Sequence, residues 1–309
     1  MNEKFGWPVC ESVLERARMK AAPFDYVRAE SVEHALMLLA QHGEDTKLVA
    51  GGQSLVPMMA MRVARPALLV DINRLPDLKL VSAGTDSITI GAGVRQRDIE
   101  EAQKLGTQLP LVRKALRWVG HVQTRNRGTV GGSVVHADPS AELPLAALVL
   151  GARMRLKSQT GGDRQVLAHD FFLGPMVTAA TETECLLAID WPVWNGGGVG
   201  AAFDETAIRH GDFALASAAC QLQLDKGGVV RRASFGLGGV SGTPLAFPEL
   251  AKRLTGQKMT PALAQEIALA AAKECDPGSD MHASVEFRRH LAGVLLSRVL
   301  AQAAQDAAR

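Results

Sequence analysis

Two glycine pairs constrain this chain more than any other feature. The stretch KLVAGGQSL, residues 47–55, climbs through apolar residues to Gly51 and Gly52 and ends on Gln53, Ser54 and Leu55. A second stretch, GTVGGSVVHADPSAELP at residues 128–144, again sets a glycine pair after an apolar residue, with a serine next. Glycine adopts positive φ freely and leaves room for a close approach, so each pair predicts a tight turn. Neither fits the simple phosphate motifs: there is no G-x-x-x-x-G-K-[ST], and no G-x-G-x-x-G opens a helix after a first strand. Both turns combine small residues with hydroxyls, namely Ser54, Thr129 and Ser133. Successive main-chain N–H groups in such a turn can hold anionic oxygens. Taken singly, either turn is explained by chain reversal alone. Taken together, two facing turns would clamp a diphosphate from both sides.

The segments around the turns predict an α+β chain. FDYVR (24–28) reads as a strand, and Ser31 caps a helix through SVEHALMLLAQHG, with Glu33 in its first turn and Gly43 as its stop. KLVAG is a strand, SLVPMMAMRVA a helix limited by Pro57, and ALLVDI a strand. The pattern then changes. DSITIGAGV alternates like a half-buried strand, RQRDIEEAQKLG and PLVRKALRWVG are helical, and ELPLAALVLGA after the second turn is helical too. RMRLKS, RQVLAHDFF and ECLLAIDWPV read as short strands. WNGGGVG (194–200) is a flexible linker by composition. Beyond it, AAFDETAIR, LASAACQLQLD and VVRRASFGLGG form three strands, two of them joined by the hairpin turn DKGG, and helices follow from Pro244.

Several functions are excluded. A length of 309 residues suits about two or three domains. A net charge of +2 and the lack of a basic run interleaved with aromatics argue against nucleic acid. No apolar run is long enough for an integral membrane segment. The acidic start, MNEKFGWPVCESVLERAR, is not a secretory signal, and residues 1–18 read either as an appendage or as the product of a start placed too early. Cys10, Cys185, Cys220 and Cys275 lie far apart, which speaks for a cytoplasmic chain and against an iron–sulfur cluster of its own. His121, His136 and His210 have no metal-ligand spacing, so no metal site is expected.

With AGGQSLVPMM preceded by FDYVRAESVEHALMLLA and followed by GTVGGSVVHADPSAELPLAALVLGA, the chain closely resembles the FAD-binding medium subunits of the molybdenum hydroxylases, the carbon monoxide dehydrogenase and xanthine dehydrogenase superfamily. The resemblance runs from about Ala21 to Ala304. It implies a vanillyl-alcohol-oxidase-type (PCMH-type) FAD-binding fold: an N-terminal extension (1–20), two α+β subdomains (21–78 and 79–195) and a C-terminal domain (200–309) of a three-stranded antiparallel sheet and helices. It implies a first FAD loop of Leu48, Val49, Ala50, Gly51, Gly52, Gln53, Ser54 and Leu55. The second would be Gly128, Thr129, Val130, Gly131, Gly132 and Ser133, with Ser133 where the family usually has Asn. Val119, Thr124 and Leu186 would line the cofactor, and Asp138 and Glu142 would meet its hydroxyls. Asp138 has an equal reading as a turn starter before Pro139. Phe213, in IRHGDFALASAA (208–219), would cover the isoalloxazine ring, or else be a core aromatic. Asp204 stands where xanthine dehydrogenases have a lysine, which puts NAD in doubt as acceptor.

The resemblance further implies an oxidoreductase subunit that works as the FAD electron-transfer component: no acid–base residue, FAD held non-covalently, and molybdopterin and 2Fe-2S clusters on partner subunits only. Those partners would be a large molybdopterin-binding chain and a small 2Fe-2S chain, in a dimer of heterotrimers. The alternative is a stand-alone FAD-dependent oxidase or dehydrogenase of the same fold, disfavoured because no Cys or Tyr stands near the first loop in sequence to anchor a flavin covalently. Carbon monoxide, an aldehyde, a purine or an N-heteroaromatic all remain open as substrate, since that choice lies with the large partner.

Overall fold

The computed structural model describes residues 20–309, so the expected appendage at residues 1–18 lies outside the described residues. The first unit contains β1 (Asp25–Arg28), α1 (Val32–His42), β2 (Thr46–Val49), α2 (Leu55–Ala60) and β3 (Leu68–Asp71). Its three strands are parallel, in the order β1-β3-β2. The Ser31 hydroxyl accepts from the His34 N–H at 3.0 Å, so α1 is capped without the glutamate of a full capping box. Val32, Ala35, Leu36, Leu38 and Leu39 bury its apolar face. The predicted second helix ends early, because Arg62 adopts a left-handed φ of 59° just beyond α2. The first glycine turn leaves the carboxyl end of β2, the side on which open parallel sheets present ligand sites.

The second unit is larger. It runs through β4 (Val81–Ala83), β5 (Ser87–Gly91), α3 (Gln96–Glu101), α4 (Gln103–Gln108), α5 (Pro110–Leu116), α6 (Val122–Arg127), α7 (Val130–His136) and α8 (Glu142–Leu150). It continues with β6 (Arg153–Ser158), β7 (Gly162–Leu167), α9 (Ala168–Phe171), β8 (Phe172–Gly174), β9 (Val177–Thr178) and β10 (Glu184–Pro192). An antiparallel sheet of order β4-β5-β10-β6-β7 backs the helices. Two predicted elements divide. The helix over 95–106 breaks at Ala102, whose ψ of 93° is not helical, and RQVLAHDFF becomes the end of β7, the single turn α9 and the start of β8.

The C-terminal unit holds β11 (Val199–Thr206), β12 (Ala216–Leu224), β13 (Val230–Gly238), β14 (Leu245–Ala246), α10 (Pro248–Leu254), α11 (Pro261–Lys273) and α12 (Val285–Ala307). The expected three-stranded sheet gains a fourth, two-residue strand on β13. Gly236 makes room for it, since a Cβ there would overlap the Leu245 carbonyl oxygen. The glycine-rich stretch 194–200 is held at both ends, with Asn195, Gly196 and Gly197 exposed between them. Trp194 is buried under the Arg232 guanidinium, 3.9 Å from its ring centre, and β11 already begins at Val199.

Side chains alternate across β11 and β12, so one sheet serves two cores. Ala202, Ala216, Ala218, Cys220 and Leu222 pack with the C-terminal helices, while Ala201, Phe203 and Ala219 join the core of the second unit. The free edge of β11 is closed by side chains from both neighbours. Lys114 of α5 donates to the Ala201 carbonyl and pairs with Asp306 of α12 at 2.7 Å; Asp306 accepts from the Ala201 N–H at 3.1 Å.

Candidate functional site

The two glycine turns meet. A Cβ on Gly51 would overlap the carbonyl oxygen of Arg127 and the Cα of Gly128, so the first turn rests directly on the main chain that opens the second. Gly51 is therefore required for loop-to-loop contact. Gly52 is required for its backbone, with φ at 71°. Gly128 and Gly131 serve packing within the protein, against Gln96 and Ala92 respectively.

The two turns differ in which amides they leave open. In the second, the Gly131 N–H donates to Ala92 at 2.9 Å, Gly132 to the Thr129 hydroxyl at 3.1 Å, and Ser133 to the Thr129 carbonyl at 3.2 Å. Thr129 is the N-cap of α7, with its oxygen committed and its hydroxyl proton still available. In the first turn, among the described residues, no main-chain acceptor lies within reach of the amides of Gly51, Gly52, Gln53 and Ser54. The Gln53 side chain folds back, its Nε2 donating to the Gly51 carbonyl at 3.2 Å. The expected pair of equal nests is thus one open nest braced by a closed one.

An open cleft of about 450 Å³ lies against the first turn, lined by Val49, Ala50, Gly51, Gly52 and Gln53 and also by Tyr26, Asp71, Asn73 and Arg127. Sequence reasoning missed the last four. Arg127 had a signal, a cation directly before the second glycine motif. Tyr26 had none, because β1 reaches the cleft only through the sheet order. Free amides beside a guanidinium suit an anionic group such as a diphosphate.

The C-terminal unit carries Phe213 on the loop between β11 and β12. Phe213 is 72% exposed, which removes the core reading of this residue. Its loop leans on the segment before the second turn: the His210 and His121 rings meet edge-on at 6.0 Å, and a Cβ on Gly211 would stand 2.6 Å from His121 Cε1. Val119 and Leu186 are buried in the core of the second unit, and Thr124 is part-buried within α6, where its carbonyl accepts from Gly128 at 2.6 Å. Leu48 and Leu55 flank the first turn and Val130 is fully buried in α7.

The acidic residues form a cluster beside Phe213. Asp138 Oδ1 accepts from the Ser140 N–H at 2.8 Å, the turn role weighed above. The Ser140 hydroxyl donates to the Ala214 carbonyl at 3.0 Å, tying this turn to the Phe213 loop. Glu142 opens α8 with a strip of surface still accessible, yet protein crowds its carboxyl. Burial pushes it up to about 7, with the Asp138 charge adding and Arg125 opposing. Glu205 of β11 is buried, and burial together with Glu142 and Asp204 pushes it up to about 9. Asp204 pairs with Arg298 at 2.7 Å. Contacts thus tie the Phe213 loop to the acidic turn through Ser140 and to the segment before the second glycine turn through His121. Among the described residues no three His, Cys, Asp or Glu side chains converge as a metal site.

The family model described as "FAD binding domain in molybdopterin dehydrogenase" matches residues 22–194, and the "CO dehydrogenase flavoprotein C-terminal domain" matches residues 201–303. The chain is 38% identical over 285 residues to the 6-hydroxypseudooxynicotine dehydrogenase complex subunit alpha of Paenarthrobacter nicotinovorans, covering 92% of this chain and 96% of that one. It is 35% identical to the caffeine dehydrogenase subunit beta of a Pseudomonas species, covering 93% of this chain and 96% of the other. Among solved structures, carbon monoxide dehydrogenase from Hydrogenophaga pseudoflava superimposes with a TM-score of 0.88 at 34% identity, covering 92% of this chain and 98% of the other.

Proposed function

The chain belongs to the FAD-binding medium subunits of the molybdenum hydroxylases, and we propose that it works between a large molybdopterin-binding chain and a small 2Fe-2S chain, in a dimer of heterotrimers in the cytoplasm. FAD, when bound, takes up electrons singly and releases them as a pair to an outside acceptor. The protein supplies binding, orientation and shielding. The four open amides of the first turn hold the diphosphate oxygens. Ser54, Thr129 and Ser133 contribute hydroxyls, while Gly128, Gly131 and Gly132 keep α7 close beneath. Glu142, poised near neutrality, donates to or accepts from a cofactor hydroxyl. Phe213 covers the ring and limits water there, with Val119 and Leu186 as the apolar floor behind. The division into units 21–78, 79–195 and 200–309 follows this arrangement.

The observation that carries the proposal is the row of open amides on Gly51 to Ser54, pressed against the second turn and beside a guanidinium. Asp204 is engaged by Arg298 and offers no cation at its position, so an acceptor other than NAD is proposed. Relatives of similar identity carry names for carbon monoxide, caffeine, glyceraldehyde and a nicotine derivative, so substrate choice is assigned to the large partner. The test is purification from the native host. The expected result is a yellow protein with one FAD per chain, accompanied by molybdenum- and iron-containing chains. A protein that neither contains nor takes up FAD refutes the reading. A yellow chain that oxidises an organic substrate alone supports the stand-alone enzyme instead.

A further inference from the structure

A line of polar contacts crosses from the first unit to the second beside the cleft. The Tyr26 hydroxyl donates to Asp71; Asp71 accepts from both nitrogens of Asn73 at 2.8 Å; and Asn73 Oδ1 accepts from Arg95 Nη2 at 2.9 Å. The other terminal nitrogen of Arg95 donates to the Arg127 carbonyl, the same oxygen on which Gly51 rests. Arg127 is thus fixed by its main chain, while its side chain is exposed on the wall of the cleft.

Among the described residues, no carboxylate comes within ion-pair distance of Arg127 and no acceptor holds its guanidinium. The Arg95 guanidinium stands close enough for the two like charges to oppose each other. Arg127 and the open amides of Gly51, Gly52 and Gln53 therefore line one cleft, where the carboxylate present, Asp71, is already taken up by Tyr26 and Asn73. Such a set is stabilised by a doubly charged oxyanion more than by any neutral ligand.

We infer that Arg127 is a binding residue for the diphosphate of FAD, with Arg95 as the positioning residue that fixes its main chain against the first glycine turn. The inference rests on the FAD reading above. Arg127 is suited to it because its planar fork matches two phosphate oxygens at once, which a lysine cannot do.

The test uses the full chain, stripped of flavin and titrated with FAD at several sodium chloride concentrations, with flavin fluorescence as readout. Arg127→Met is expected to weaken FAD binding about tenfold to a hundredfold, the loss of one or two charge-assisted hydrogen bonds. It is also expected to flatten the salt dependence of the affinity, since a screened charge has been removed. Arg127→Lys should restore the salt dependence and only part of the affinity. The unliganded melting temperature of Arg127→Met should match the unaltered chain, because the side chain is exposed. An Arg127→Met affinity within twofold of the unaltered chain, or an unchanged salt slope, overturns the inference. An unaltered chain that takes up no FAD overturns the FAD reading itself, which separates the two failures.

Discussion

Replacing Gly51 by alanine tests the contact on which the site is built. The added methyl would overlap the Arg127 carbonyl oxygen and the Gly128 Cα, both main-chain atoms. These cannot rotate aside as a side chain would. The Gly128 carbonyl accepts from Gln96 at 3.0 Å, its N–H donates to Thr124 at 2.6 Å, and Arg95 holds the Arg127 carbonyl. Overpacking a fixed contact costs about 1–3 kcal/mol. A shift of about 2–4 °C per kcal/mol for domains of this size predicts a melting temperature lower by several degrees. Gly52→Ala makes a matched control. Its methyl would meet only Val56 Cγ2 at 3.2 Å, but its φ of 71° costs about 1–2 kcal/mol for any residue with a Cβ. Gly51→Ala and Gly52→Ala should therefore both melt below the unaltered chain without cofactor. Adding FAD should recover less stability for Gly51→Ala, because its loops are pushed apart. Differential scanning fluorimetry with and without FAD reads both quantities. If Gly51→Ala melts with the unaltered chain, or gains as much from FAD, the loop-contact argument is wrong.

Three further outcomes follow from the geometry. Gly132→Val places a branched side chain against the Thr129 hydroxyl that caps α7, 2.7 Å from its Cβ, and should cost about 1 kcal/mol of capping together with most of the bound flavin, read from the visible spectrum of the purified protein. Phe213→Ala should keep FAD and stability, within about 0.5 kcal/mol, and speed reoxidation of the reduced flavin by oxygen; unchanged stopped-flow rates would remove its covering role. Glu205 is raised from 4.5 to about 9 in the folded chain, so the fold takes no penalty below the unfolded value and loses stability as pH climbs from about 5 toward 9. Glu205→Gln should flatten that stretch of the curve of melting temperature against pH, and parallel curves for the two chains would show that the carboxyl is not held protonated.

The parts of this molecule that sequence reveals are local. The cap at Ser31, the hairpin at DKGG and the paired glycine motifs declare themselves because the residues that act together lie within a few positions of each other. What stayed hidden arises from chain segments far apart. Gly51 and Gly128 were read as two halves facing a ligand, whereas each is held first by protein. The second turn's amides were counted as open, though Ala92 and Thr129 already use them. Glu205 reads as one more polar residue on a strand, and only the packing of α8 on the C-terminal sheet buries both carboxyls and brings Glu142 close enough to add to the rise of Glu205. The single tyrosine was discounted for its distance along the chain, yet it lines the cleft of the first loop, with its hydroxyl given to Asp71.

The side chains that close the free edge of β11 bear on how this family can be recombined. Lys114 belongs to the second unit and Asp306 to the last helix, and both end on Ala201. A chimera that grafts the C-terminal unit onto another member's FAD-binding half therefore inherits only half of this lock. Without a cation at position 114, the graft carries an unanswered acid and an open strand edge, an invitation to pair with another chain. The join at residues 194–200 is the convenient place to cut, but the exchangeable piece is larger than the cut suggests, because it includes one lysine from the other side.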